Sequence, residues 1–157
     1  MTVVFWPSSK DTGQRFKCDS NVRQIGQGIM SYAINNAGQF PDHMGLLITR
    51  EGLNAEVFVC PASKDVVAPG QPAQQVSKLS MPGFCSYIYL GAGLKAPVPL
   101  DTIIAYEPLE NHKKQGMHVV YGDGHAEWMG AKEAERIIKE LKAGHNPPRA
   151  AGTGNDD

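Results

Sequence analysis

The chain lacks any C-x-x-C pair, and its three cysteines, Cys18, Cys60 and Cys85, stand far apart. That argues against a zinc ribbon or a thioredoxin-like redox motif. Long apolar runs are missing too. Met1-Thr2-Val3-Val4-Phe5-Trp6 is apolar but far short of the ~20 residues a membrane span needs, and no signal peptide is recognisable. Nor is there an excess of one charge. The formal net charge is −1 and Lys and Arg are scattered, so no basic stripe of the kind that meets nucleic acid is present. G-x-S-x-G and cysteine-protease signatures are absent, and Gly91-Ala92-Gly93 lacks the third glycine and following helix of a dinucleotide or phosphate turn. Cys85 beside His118 or His125 would make a nucleophile and base, but no motif supports that pairing. The chain is expected not to be an enzyme.

What the sequence does contain is a long amphipathic stretch near its start. Cys18, Val22, Ile25, Ile29 and Ala33 recur at steps of three and four, which places them on one helical face. Phe16, Met30 and Tyr32 widen the stripe, while Asp19, Arg23, Gln24, Gln27, Ser31 and Asn35 take the other side. Ser8 or Ser9 is a suitable N-cap after Pro7, and Asn36-Ala37-Gly38 a suitable stop. A helix over residues 9–37 would be roughly 43 Å long, a spine for everything that follows. Gly26, on its buried face, has no Cβ and so lets another layer approach closely.

The length suits one domain, expected over residues 1–144 with a disordered tail over 145–157. Seventeen glycines and eleven prolines point to many turns. A short helix is expected around Met44, Leu47 and Ile48, closed near Gly52. Strands are expected near 57–59, 84–90, 102–106, 117–121 and 125–129, with 61–83 an extended surface loop. Ala131, Ala134, Ile137, Ile138 and Leu141 mark an amphipathic closing helix that stops at Gly144. The expected fold class is α+β, a long N-terminal helix packed on an antiparallel sheet with a short C-terminal helix.

The pleat predicts a register for the hairpin around Gly122-Asp123-Gly124. With a two-residue type I′ turn at Asp123-Gly124, Tyr121 faces Ala126 and Val119 faces Trp128. Apolar residues then share one face, and His118, Val120, His125 and Glu127 take the other. A three-residue loop would pair Val119 with Glu127 and mix the two kinds, so the two-residue turn is preferred. On this reading Trp128 and Tyr121 lie buried against the spine near Ile25 and Ile29.

His112, His118, Asp123, His125 and Glu127 form the polar cluster with the most chemistry in it. The plainer reading gives these residues structural work, with Asp123 as the first residue of an Asp-Gly turn. The sharper one makes His112, His118, Asp123 and His125 a divalent-metal site, since imidazole and carboxylate suit zinc and similar ions. The three cysteines are read as free and buried, or as one disulfide and a free thiol in an oxidising compartment.

Several of these pieces occur together in one known family. Cys18-Asp19-Ser20-Asn21-Val22-Arg23-Gln24-Ile25-Gly26, Gly38-Gln39-Phe40-Pro41, Val57-Phe58-Val59-Cys60-Pro61, Ser86-Tyr87-Ile88-Tyr89, Asn111-His112 and Asp123-Gly124-His125-Ala126-Glu127-Trp128 follow one another in order. This series resembles the bacterial prepilin-like, type II secretion pseudopilin-like family (the DUF1559, H-x9-D-G type). Ten residues separate His112 from Asp123 here. The resemblance implies a pilin-like fold and a non-enzymatic role: the globular head of a pseudopilin-like filament subunit whose partners are other pilin-like subunits or secretion-system components. It implies an extracytoplasmic place, with inner-membrane attachment only through an N-terminal apolar helix that this chain does not contain. Cys18 and Cys60 match family positions and are the pair implied to bond, with Cys60–Cys85 the next candidate. The alternative reading is an extracytoplasmic ligand- or solute-binding module, its site made by the 61–83 loop and the His/Asp cluster.

Overall fold

A computed structural model describes residues 6 and 8–152. The spine forms as helix α1 (Ser9–Asn35), and Ser8 caps it. The Ser8 hydroxyl accepts from the Asp11 N–H at 3.1 Å, and the Asp11 carboxylate accepts from the Ser8 N–H at 3.3 Å. Two otherwise orphaned amides are thereby satisfied reciprocally. At the other end Ala37 and Gly38 turn to positive φ, and the Gly38 N–H closes on the Ala33 carbonyl at 2.8 Å. The expected stripe is buried, but Phe16, assigned to its margin, is 73% exposed. Burial along α1 begins in earnest only at Cys18.

Four antiparallel strands follow in the order β1 (Ile88–Tyr89), β2 (Ile103–Tyr106), β3 (Gly116–Tyr121) and β4 (Ala126–Gly130). The architecture is α+β, with α1 on one face of the sheet and the closing helix α4 (Ala131–Lys142) on the other. Val120, Ala126, Ile104 and Ala105 pack toward α1, while Met117, Val119 and Tyr106 meet Ala134 and Ile137 of α4. At the register shift between Ile103 and Ala105 the neighbours Ile104 and Ala105 both pack toward α1, with Ile103 and Tyr106 toward α4.

This two-sided burial overturns the expected hairpin register. His118 pairs with Trp128, Val119 with Glu127 and Val120 with Ala126, so the loop has three residues. The Gly124 N–H donates to the Tyr121 carbonyl at 2.8 Å, and the Tyr121 N–H to the His125 carbonyl at 2.9 Å. Only Gly124 of the three needs positive φ (86°), as in the common three-residue hairpin loop. Separating polar from apolar residues selects a register only when one face meets water. Here β3 is buried on both faces, so that criterion had no force. Trp128 and Tyr121 are accordingly half-buried on opposite faces, Tyr121 toward α4, and neither lies under Ile25 and Ile29.

Gly26 does serve a close approach. A Cβ there would run into the Gly124 carbonyl and stand 3.0 Å from the Val120 side chain, so the hairpin turn sits directly on α1.

Other expectations change as well. Helix α2 (Leu46–Glu51) forms and ends at Gly52 with φ 72°. Residues 55–58 are a 3₁₀ turn rather than a strand: the Phe58 and Val59 carbonyls are taken by the Ser86 N–H and the Asn21 amide, not by a neighbouring strand. The 61–83 loop contains helix α3 (Pro72–Lys78), started by Pro72 and a reciprocal Gln71–Gln74 cap. Only Ile88–Tyr89 of the 84–90 run is strand.

The expected disordered tail is held as far as Arg149. The Asn146 side chain accepts from the Ile103 N–H at 2.9 Å and donates to its carbonyl at 2.7 Å, and Arg149 pairs with Glu140. Residues 153–157 lie outside the described residues. Among the described residues no helix is long and apolar enough to cross a membrane.

Candidate functional site

Where β2 ends, Glu107 enters a fully buried position between α1 and the sheet. Its Oε1 accepts from the His118 backbone N–H at 2.8 Å and meets His118 Nδ1 at 2.5 Å and His112 Nε2 at 3.1 Å. A carboxylate can only accept, so each facing ring nitrogen carries a proton. Burial alone would raise the Glu107 carboxyl. The hydrogen bonds and positive character of His112 and His118 outweigh it and hold the group down at about 2. Asn111 supplies a further donor to Oε2 at 3.4 Å. This is a satisfied buried anion, and its two imidazoles are fixed in orientation by it.

His118, on β3, stands beside its strand partner Trp128 with ring centroids 4.9 Å apart, and His112 approaches the same indole at 5.4 Å. The Arg15 guanidinium covers the indole at 3.7 Å, a cation–π contact that closes the group from the α1 side. With Nδ1 committed to Glu107, His118 directs Nε2 toward Asp19, 3.8 Å away. A cavity of about 660 Å³ opens here, its walls including Arg15, Asp19, Asn111, His112, His118 and Trp128.

Against the buried side of this group lies the disulfide. Cys18 and Cys60 are joined, with Cα atoms 5.3 Å apart, and Cys60 Sγ is 3.6 Å from His112 Nε2. The segment around Cys60 is held by more than sulfur. The Cys60 N–H donates to Ser86 Oγ at 2.9 Å, Asn21 donates to the Val59 carbonyl at 2.9 Å, and Gln14 donates to the Pro61 carbonyl at 3.1 Å. Ser86 also donates to Asp65 at 2.7 Å. Cys85 is the free thiol. Burial pushes it up to about 11, and it donates to the Tyr87 carbonyl at 3.3 Å. A thiol so held is neither ionised at neutral pH nor paired with a histidine.

The four expected metal ligands therefore do not converge. His112 and His118 meet at Glu107, whereas Asp123 and His125 sit at the hairpin turn. There the Asp123 carboxylate accepts from the His125 N–H at 3.1 Å and pairs with its Nδ1, while His125 Nε2 reaches Glu127 at 3.2 Å. The ring stacks on Tyr121, with centroids 4.8 Å apart. The hydrogen bond with Asp123 raises the His125 pKa, and the same bond lowers that of Asp123. Asp123 thus has structural work at the hairpin, as the middle residue of a three-residue loop rather than the first of an Asp-Gly turn, and an imidazole partner besides. The side chains around it are largely exposed.

Sequence reasoning missed Glu107, the centre of the buried group. The available signal was a carboxylate directly after the apolar run Thr102–Tyr106 and directly before Pro108, where a strand is still inside the protein. Missed as well was Arg15, whose position one turn before Asp19 puts both over the same cavity. Comparisons with family models, with curated proteins and with solved structures find no match to this chain.

Proposed function

We propose that this domain is the globular head of a pilin-like assembly subunit, a non-enzymatic protein that works by docking on copies or relatives of itself outside the cytoplasm. The observation that carries the reading is the behaviour of α1. From Cys18 on one face of it is packed on the body, while Ser9–Lys17 bury no side chain and leave most exposed, Phe16 among them at 73% exposure. A helix clamped to its domain at one half, with an apolar residue presented on the other, is suited to helix-to-helix packing between subunits. The disulfide supports the same reading by tying the helix to the Cys60 segment at the point where burial begins, and disulfides persist in oxidising compartments.

Photo-crosslinking tests it. An unnatural cross-linking residue at position 16 should give adducts with pilin-like subunits in cells producing the protein, and the same residue at Ile88, on the distant sheet edge, should not. Adducts equally frequent at both positions, or none at 16, would sink the assembly reading.

One observation favours a second reading, that of an extracytoplasmic ligand- or solute-binding module. The cavity over His118 and Trp128 lies in the usual size range of small-molecule pockets. A saturable rise in melting temperature with a small solute, lost in Trp128→Ala, would support it.

A further inference from the structure

We propose that Cys18, Cys60, Glu107 and His112 form a zinc site when the Cys18–Cys60 bond is reduced, so that the same point of the fold is closed by a disulfide or by a metal. One ligand atom from each of these residues already lies within 4.8 Å of all the others, and all four residues are buried. Zinc holds S, N and O donors at about 2.3, 2.05 and 2.0 Å; in a tetrahedron this sets S and N about 3.6 Å apart and N and O about 3.3 Å apart. Cys60 Sγ and His112 Nε2 are 3.6 Å apart, and His112 Nε2 and Glu107 Oε1 are 3.1 Å apart. Once the bond is cut, the sulfurs must part to about 3.8 Å and the remaining donor pairs, within 4.8 Å of one another, must close to tetrahedral spacing.

The surroundings suit that change. Cys18 is carried by a rigid helix, and Cys60 keeps its hydrogen bonds to Ser86 and its neighbours' bonds to Asn21 and Gln14 without the disulfide. His118 Nδ1–H would remain on the Glu107 carboxylate as an outer-shell donor orienting the ligand. Thiolate, imidazole and carboxylate together select zinc over calcium or magnesium, which take oxygen donors. The steps balance. A dithiol reductant gives two electrons and two protons to the Cys18–Cys60 bond and leaves as its own disulfide. His112 moves its proton from Nε2 to Nδ1, and zinc displaces both thiol protons to solvent. The site uses neither Asp123 nor His125, and it stands or falls independently of whether the domain assembles.

The test is a cobalt titration of the full chain, oxidised and after reduction by a water-soluble phosphine, which leaves as its oxide with oxygen from water. The reduced chain should take up one cobalt, with thiolate-to-cobalt charge transfer and the visible bands of a four-coordinate ion, and zinc should displace it and raise the melting temperature. The oxidised chain should show neither. His112→Ala should weaken binding at least as much as the about 10–100-fold typical of losing an outer-shell partner, and His125→Ala should leave the spectrum unchanged. Circular dichroism confirms that each variant is folded. If His112→Ala does not fold, Cys60→Ser takes its place, with weaker cobalt binding and a weakened charge-transfer band expected, since one of the two thiolates is removed. A reduced chain that takes up no cobalt, that stays unfolded with zinc, or that binds equally after His112→Ala would overturn the proposal, as would the same spectrum from the oxidised chain.

Discussion

Two histidine–carboxylate groups lie at opposite ends of one hairpin and behave in opposite ways. At the open end, Glu107 is buried with His112 and His118, and every donor converges on it. At the turn, Asp123, His125 and Glu127 make the same kind of pairs in water. Out of solvent, a carboxylate that lost its partners would be an uncompensated charge costing several kcal/mol. In solvent, water replaces lost partners and salt screens what remains. The residue types are the same, and burial decides which group the fold depends on.

The largest test of that contrast is Glu107→Gln. Removing the charge while two imidazoles and an amide still face it should destabilise the protein by about 3–5 kcal/mol, the range for breaking a buried pair, measured by denaturant melts. The pH dependence has a definite sign. The Glu107 pKa is lowered from 4.5 to about 2, so its stabilisation is complete above about 4.5 and is lost as pH falls toward about 2. Glu107→Gln should flatten that acid limb. An unchanged limb would mean that the buried group is not the one the fold relies on.

Gly26→Ala tests what holds the turn end in place. With the added Cβ driven into the Gly124 carbonyl, a loss of about 1–3 kcal/mol is expected for overpacking. Amide exchange should quicken in the turn before it quickens at His118. Uniform quickening would show that the two ends are not separable.

Trp128→Ala comes next. The indole is half-buried beneath Arg15 rather than enclosed in the core, so the cost should be about 1–2 kcal/mol, short of a fully buried aromatic's roughly 3–5 kcal/mol. A melt in that higher range would restore the original expectation of a core tryptophan.

His125→Ala should have the smallest effect, within roughly 0.5 kcal/mol as for most surface changes. Its pKa is raised, so any contribution is present below its ordinary value of 6.5 and disappears as pH rises through the folded value. Asp123 is lowered from 3.8, so its part disappears only as pH falls. A large loss at neutral pH on His125→Ala would erase the contrast between the two groups.

The sequence by itself determined the elements whose causes are local. Helix α1, its Ser8 cap, its stop at Gly38, the end of α2 at Gly52, the closing helix and the strands on either side of Gly122-Asp123-Gly124 all follow from periodicity, capping and glycine. Those effects act within a few residues of one another. Tertiary structure decided the rest. Whether the 57–59 run would be strand or 3₁₀ turn depended on what took the Phe58 and Val59 carbonyls, and Ser86 and Asn21 took them. The hairpin register depended on α4 covering the second face of β3. His112 and His118 were separated from Asp123 and His125 by the span of the hairpin, and were joined instead to a glutamate that nothing in its own neighbourhood marked as their partner. A charge's environment is set by the elements packed across from it, often far along the chain, and local sequence carries little of that information.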